Sequence, residues 1–216
     1  MLKLEFGSGR KCLRVMCLGA HSDDLEIGCG GTVLEWLATR EEIDVTWVVL
    51  SASGKRETEA LESANELLSK AKRKKVVLRD FRDGYFPLEF EKIKSIFEEL
   101  KASENPDVIL THRLEDRHQD HKLVAELTWQ TFRDHLVLEY EIPKYEGDLA
   151  QPNFYVPLST GAGEAKVKHL LRHFGSQRAK SWFRSETFLG LMHVRGIECR
   201  AASGMAEGFH VRKATI

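Results

Sequence analysis

The sequence predicts an α/β fold, Rossmann-like and three-layered, built on a mostly parallel sheet. Three observations predict it. Short apolar runs alternate four times with segments whose apolar residues recur at helical spacing. Strict strand–helix alternation favours parallel strands joined by right-handed crossovers. Two clusters rich in histidine and aspartate, His21-Ser22-Asp23-Asp24 and His118-Gln119-Asp120-His121, directly follow or lie close behind the first and fourth of these runs.

Each element has its own warrant. Leu13 to Gly19 reads as strand one, and Ile27 to Arg40 as a helix carrying Val33, Leu34, Trp36 and Leu37. Ile43 to Leu50 is rich in β-branched residues and reads as strand two. In the helix from Arg56 to Lys72, Ala60, Leu61, Ala64, Leu67 and Leu68 fall at helical spacing. Lys75 to Leu78 is a short third strand. A helix from Leu88 to Lys101 ends before Asn105-Pro106, which cannot continue it. Asp107 to Thr111 is strand four, and Gln119 to Phe132 the next helix. Beyond it the pattern loosens. Leu136 to Ile142 and Asn153 to Leu158 read as strands. Gly161-Ala162-Gly163 precedes a helix running to about Phe174, with Gly175 as its cap. Arg178 to about His193 reads as helical, and the tail from Arg195 resists assignment.

In open parallel sheets of this kind a common order is 3-2-1-4-5. Ligands then bind at the carboxyl ends of the strands flanking the point where the chain reverses. Strands one and four flank it here. The two His/Asp clusters, about 100 positions apart in the chain, are therefore expected to meet in one crevice.

Bulk properties narrow the function. The 216 residues, 42% hydrophobic, suffice for one domain with a substantial core, and residues 1–216 are read as a single domain. The formal net charge of −1 gives no basic field for nucleic acid or anionic lipid. The basic run Lys70 to Lys75 reads as a solvated helix end. Cys12, Cys17, Cys29 and Cys199 contain no Cys-x-x-Cys pair and read as free thiols in a reducing cytosol. Cys29 is assigned to packing although it lies close to the first cluster. The start, Met1 to Arg10, is charged and contains Gly7 and Gly9, unlike a signal peptide. No run reaches the roughly 18 apolar residues of a spanning helix. A cytoplasmic protein without membrane insertion is expected; a homo-oligomer is compatible with the sequence.

The chemistry lies in the clusters. His21, Asp24 and His121 offer two nitrogens and one oxygen. Three protein ligands and an open fourth position make a catalytic zinc site, one ion per chain, although another divalent ion would suit the same donors. Such an ion lowers the pKa of its water from about 15.7 to roughly 7. Asp23, beside a ligand but pointing elsewhere, is placed to act as general base. His118 projects on the same helix face as His121. As an imidazolium it could stabilise an oxyanion and protonate a leaving amine, with Asp120 or Asp116 orienting it. These parts suit hydrolysis of an amide or an ester.

Other residues are read more plainly. His169 and His173, four apart, could bind a metal as a pair, but no zincin glutamate lies between them, and a surface or partly packed pair is favoured. His112 follows strand four, where lining the pocket and a hydrogen-bonded structural role are both open. Trp36 and Trp129 read as packing rather than sugar-stacking residues.

At these residues the chain resembles a known family. Ala20-His21-Ser22-Asp23-Asp24-Leu25-Glu26, followed by Gly28-Cys29-Gly30-Gly31-Thr32, resembles the first signature of the PIG-L/LmbE-like deacetylases, and Asp116-Arg117-His118-Gln119-Asp120-His121 resembles their second. That family removes acetyl groups from N-acetylglucosamine units in glycolipids, thiol sugars, chitobiose and antibiotics, usually with zinc. The resemblance implies His21, Asp24 and His121 as zinc ligands, Asp23 as base and His118 as auxiliary acid, the assignment the chemistry reaches unaided. It implies an amino-sugar or glycoconjugate substrate. Weaker echoes occur at Arg56 to Leu68, at Asp83-Gly84, at Ser176-Gln177, at Arg195-Gly196 and at Ala206-Glu207-Gly208-Phe209. By analogy Arg56 touches substrate, but an ion pair with Glu59 or Glu62 is the favoured reading. Ser22 and Gln119 stand where the family usually has proline; neither position supplies a ligand.

Two other classes fit less well. Gly28-Cys29-Gly30-Gly31 resembles the glycine turn of nucleotide- or S-adenosylmethionine-binding proteins, yet Ala20 to Ile27 separate it from the strand that such a turn must follow. A zinc or sugar binder without turnover would not need both Asp23 and His118.

Overall fold

The computed structural model describes residues 11–215, so the expectation for Met1 to Arg10 lies outside the described residues. Strands β1 (Cys12–His21), β2 (Glu42–Ser51), β3 (Arg73–Leu78), β4 (Val108–Thr111), β5 (Leu136–Tyr140), β6 (Phe154–Pro157) and β7 (Ala206–His210) form one sheet in the order β3-β2-β1-β4-β5-β7-β6. The first five run parallel in the expected 3-2-1-4-5 order, and β7 is antiparallel to both β5 and β6. The helices are α1 (Asp24–Thr39), α2 (Lys55–Leu67), α3 (Phe90–Ser103), α4 (Gln119–Thr131), α5 (Thr160–His173) and α6 (Ser185–Cys199).

Both faces of the sheet are buried, which explains the unbroken apolar runs of its central strands. Leu13, Val15, Cys17, Val45, Trp47 and Val49 point to one core, beneath α1, α2, α5 and α6. Met16, Leu18, Ala20, Val48 and Leu50 point to the other, where Ile93, Ile96 and Phe97 of α3 meet Leu123, Val124 and Leu127 of α4. The alternation of side chains along each strand makes this division. Trp36 is buried in the first core, as its packing assignment required.

Several expectations need correction. Helix α2 stops at Leu67, and the basic run Lys70 to Lys75 is not a helix end: its first half is the turn into β3 and Arg73 to Lys75 open that strand. Lys72 N–H donates to Ile43 O and so starts the pairing with β2. Because β3 is an edge, exposed Arg73 and Lys74 there deter another strand from pairing. Helix α5 starts at Thr160, with the Ser159 hydroxyl accepting from Ala162 N–H, so Gly163 lies within it. Gly175 is no left-handed cap; it opens a short 3-10 turn, Gly175–Gln177. The helix read from Arg178 begins only at Ser185, after turns that seat Phe183 in the core. The unassigned tail contains β7, whose partners β5 and β6 lie far back in the chain. No described helix is long and apolar enough to cross a membrane.

Candidate metal centre

Three stretches meet at the carboxyl ends of β1 and β4, which are paired neighbours. The end of β1 and start of α1 bring His21, Ser22, Asp23 and Asp24. The end of β4 and start of α4 bring His112, Asp116, His118, Asp120 and His121. The loop after β3 brings Asp83 and Gly84. The predicted convergence of the two clusters is therefore present.

At its centre three donor atoms converge. His21 Nδ1 lies 3.1 Å from His121 Nε2 and 3.3 Å from Asp24 Oδ2, and His121 Nε2 lies 3.4 Å from the same oxygen. Ligands held about 2.0–2.2 Å from one tetrahedral ion stand roughly 3.3–3.6 Å apart. The spacing fits such an ion. The far nitrogen of each imidazole faces a carboxylate: His21 Nε2 is 3.2 Å from Asp120 Oδ2, and His121 Nδ1 is 3.0 Å from Asp116 Oδ2. Pairs of this kind fix tautomer and ring orientation at metal sites. Asp24 is also anchored, accepting from His21 N–H at 2.7 Å.

The charges balance closely. Burial opposes ionisation of Asp24, but His121, His112 and His21 hold its carboxyl well below the usual range. Burial also opposes a charge on His21, yet Asp24, Asp120 and Asp83 hold it well above the usual histidine value. Burial, with His112 beside it, lowers His121 to about 3. Asp23 is pushed up to about 6, first by burial and then by Asp24. Asp116, despite its burial, is held low by His121 and Lys144; Lys144 Nζ lies 3.0 Å from its Oδ2.

Neither Asp116 nor Asp120 hydrogen-bonds through its carboxylate to the ring of His118. Asp120 accepts from Gly84 N–H at 2.6 Å and Phe86 N–H at 3.1 Å, besides meeting His21. From His118, Asp116 accepts only the backbone N–H, at 2.8 Å. His118 Nδ1 instead accepts from Asp120 N–H at 3.3 Å and so caps α4. That contact places the proton of the neutral ring on Nε2. Burial, then the charge on His21, lowers the His118 pKa. Its ring centroid is 4.9 Å from that of His21 and 4.6 Å from that of His121.

Arg56 corrects a local expectation. It meets neither Glu59 nor Glu62; Glu59 accepts from Ser176. Gly54, at φ +55°, turns the chain into α2, which carries Arg56 to the rim of the site. There its guanidinium donates to Asp83 Oδ2 at 2.8 Å and Ser22 Oγ at 3.1 Å, and stands 3.9 Å from Asp23 Oδ1. The two proline replacements thus gain hydrogen bonds, because Gln119 Nε2 also donates to Gly84 O at 3.1 Å. Sequence reasoning noted Asp83-Gly84 only as a weak echo and gave Asp83 no role, yet its Oδ1 lies 3.1 Å from His21 Nε2. The Asp83-Gly84 turn, with Gly84 at φ +83°, was the available signal. It also missed Lys144. His112 is fully buried, accepts from Ala20 N–H at 3.0 Å and stacks on His121. Cys29 donates to Leu25 O within the core, away from the donor cluster.

Comparison with known proteins bears on the fold and the family. The structure is similar to N,N'-diacetylchitobiose deacetylase from Pyrococcus horikoshii, with 19% identity, a TM-score of 0.68, and coverage of 92% of this chain and 83% of that one. It is similar to the conserved protein TT1542 from Thermus thermophilus, at 20% identity and TM-score 0.71, over 94% and 96% of the chains. It is also similar to the 4-carboxy-2-hydroxymuconate hydratase GalB from Pseudomonas putida, at 17% identity and TM-score 0.72, over 94% and 98%. These likenesses establish the shared fold. The family model for PIG-L, GlcNAc-PI de-N-acetylase, matches residues 16–132, which hold both His/Asp clusters and make up more than half of the sequence. The chain belongs to the PIG-L family of deacetylases.

Proposed function

We propose that this protein is a zinc-dependent hydrolase that removes the N-acetyl group from an amino sugar or glycoconjugate. The convergence of His21 Nδ1, Asp24 Oδ2 and His121 Nε2 carries the reading, since two imidazoles and a carboxylate buried together are costly unless they share a cation. These three side chains would hold the ion. When bound, it would supply Lewis-acid polarisation and acidify water.

The remaining steps belong to the chain's own groups. Asp23, next to a ligand and raised toward neutrality, takes the proton from the attacking water. Arg56 holds Asp23 from the rim and, with Asp83, offers charge to a substrate's polar groups. His118, its proton on Nε2, donates a hydrogen bond toward the carbonyl oxygen as negative charge develops there, and the proton that Asp23 took from the water passes to the departing nitrogen. A hydrogen bond to the oxyanion needs only the neutral ring; outright proton transfer from His118 to the amine would need the imidazolium form expected from sequence. Asp120 acts at one remove, holding His21 and the loop at Gly84 and Phe86.

Fold does not choose the reaction, because a hydratase shares it. The family description and the diacetylchitobiose deacetylase favour amide hydrolysis of an acetylated amino sugar. The test is to incubate the zinc-loaded protein with a panel of N-acetylated sugars and conjugates, with and without chelator. Chelator-sensitive acetate release is expected. Zinc-replete protein that releases no acetate from any of them would overturn the reading.

A further inference from the structure

Away from the strand ends, a second group of metal-ligating side chains gathers where α2 packs against α5. His169 and His173 lie one turn apart on α5, with ring centroids 4.3 Å apart. Glu66, in the last turn of α2, places Oε2 3.1 Å from His173 Nε2. Ligand atoms of all three residues lie within 4.8 Å of one another. The carboxylate that the His169/His173 pair lacks in sequence is thus supplied from another helix, 103 positions before His169 in the chain.

We propose that Glu66, His169 and His173 form a second site for a divalent transition metal, separate from the cluster at the strand ends, and that the ion pins α2 to α5. Two imidazoles four residues apart on a helix and one carboxylate are a donor set that zinc accepts. The arrangement around them is ordered. The Ser63 hydroxyl donates to Glu26 Oε1, so its oxygen accepts from His169 Nε2, 2.8 Å away. That leaves the lone pair on Nδ1 of His169 for a cation, with Nε2 oriented by its partner. Arg172 donates to Glu66 Oε1 at 2.9 Å and leaves Oε2 for the ion. His169 is buried, whereas the Glu66 side chain is 45% exposed, which gives the ion a way in from solvent.

The experiment equilibrates wild type, His173→Gln, Glu66→Gln and His121→Ala with Zn2+, desalts them, and counts zinc per chain. Thermal midpoints are recorded with and without added Zn2+. Wild type should hold one more zinc per chain than His173→Gln or Glu66→Gln, and His121→Ala should keep that extra ion. At free Zn2+ about 100-fold above Kd, the midpoint of His121→Ala should rise by roughly 5–10 °C, and this rise should vanish when His173→Gln is combined with His121→Ala. Equal zinc in wild type and His173→Gln, with no difference in thermal shift, overturns the proposal. If zinc survives in His121→Ala at the wild-type level and is lost from His173→Gln, this site stands and the strand-end assignment falls.

Discussion

At the scale of single residues, two carboxylates beside His21 are separated by what they touch. Asp24 faces His21 and His121 and is held ionised by them. Asp23 faces Arg56 instead, but burial and Asp24 outweigh that cation and raise its carboxyl to about 6. Under the proposed mechanism Asp23→Asn should therefore keep zinc and lower kcat by about 10²–10⁴-fold. Paired metal analysis and kinetics check this, and near-normal turnover would remove Asp23 from the mechanism. Under the same proposal Asp120 acts through His21 rather than on the substrate. Asp120→Asn should weaken zinc binding by about 10–100-fold, read by competition against a chelator of known affinity. Unchanged affinity would leave Asp120 only its loop contacts. Both His/Asp clusters were legible because their residues sit in two contiguous segments at strand ends. The partners of Arg56 were not. Nearby Glu59 and Glu62 suggested a helix ion pair, while its real partners, Ser22 and Asp83, come from other elements.

At the scale of elements, α1 shows how a glycine run can serve packing instead of phosphate binding. Its middle bonds to side chains from other elements. Lys166 Nζ donates to Ile27 O at 2.6 Å, while Glu207 accepts from Gly31 N–H at 2.9 Å and Thr32 N–H at 2.7 Å. Lys166 and Glu207 also pair with each other at 2.6 Å. A buried ion pair is thus wedged against backbone groups of α1. The glycines make room: a Cβ at Gly31 would lie 2.9 Å from Glu207 Oε1, and one at Gly28 would lie 2.3 Å from Tyr140 Cδ2. Tyr140 cannot easily retreat, because its hydroxyl donates to Leu18 O at 2.7 Å. Helical periodicity in the sequence located α1 but could not reveal a wedge supplied from α5 and β7. Lys166→Met should destabilise the fold by about 3–5 kcal/mol, because it leaves the Glu207 charge buried without its cation and Ile27 O without that donor. Urea unfolding measures the loss; a change under about 1 kcal/mol would show that the two backbone N–H groups suffice to hold Glu207.

At the scale of the whole molecule, the legible part was the parallel half. Local periodicity defined its strands and helices, and the crossover rule ordered them. The antiparallel half was obscured because β7 is short, contains Gly208, and buries Glu207 for a contact with α1. Its inward residues do not show a strand pattern in isolation. This strand joins β5 to β6, so its electrostatics bear on global stability. His210 closes β7 with Nε2 buried and without a hydrogen-bond partner. Burial, then Arg113, lowers its pKa to about 4; Arg212 and Arg195 act in the same direction and Glu115 opposes them. An unfolded histidine titrates near about 6.5. Between those values the unfolded chain binds the extra proton, so stability must fall as pH drops from about 6.5 to 4. His210→Gln removes that proton from the balance and should flatten the decline in urea midpoint over this window. Parallel curves for the two proteins would mean that His210 gains a compensating contact in acid, and the burial argument for it would fail.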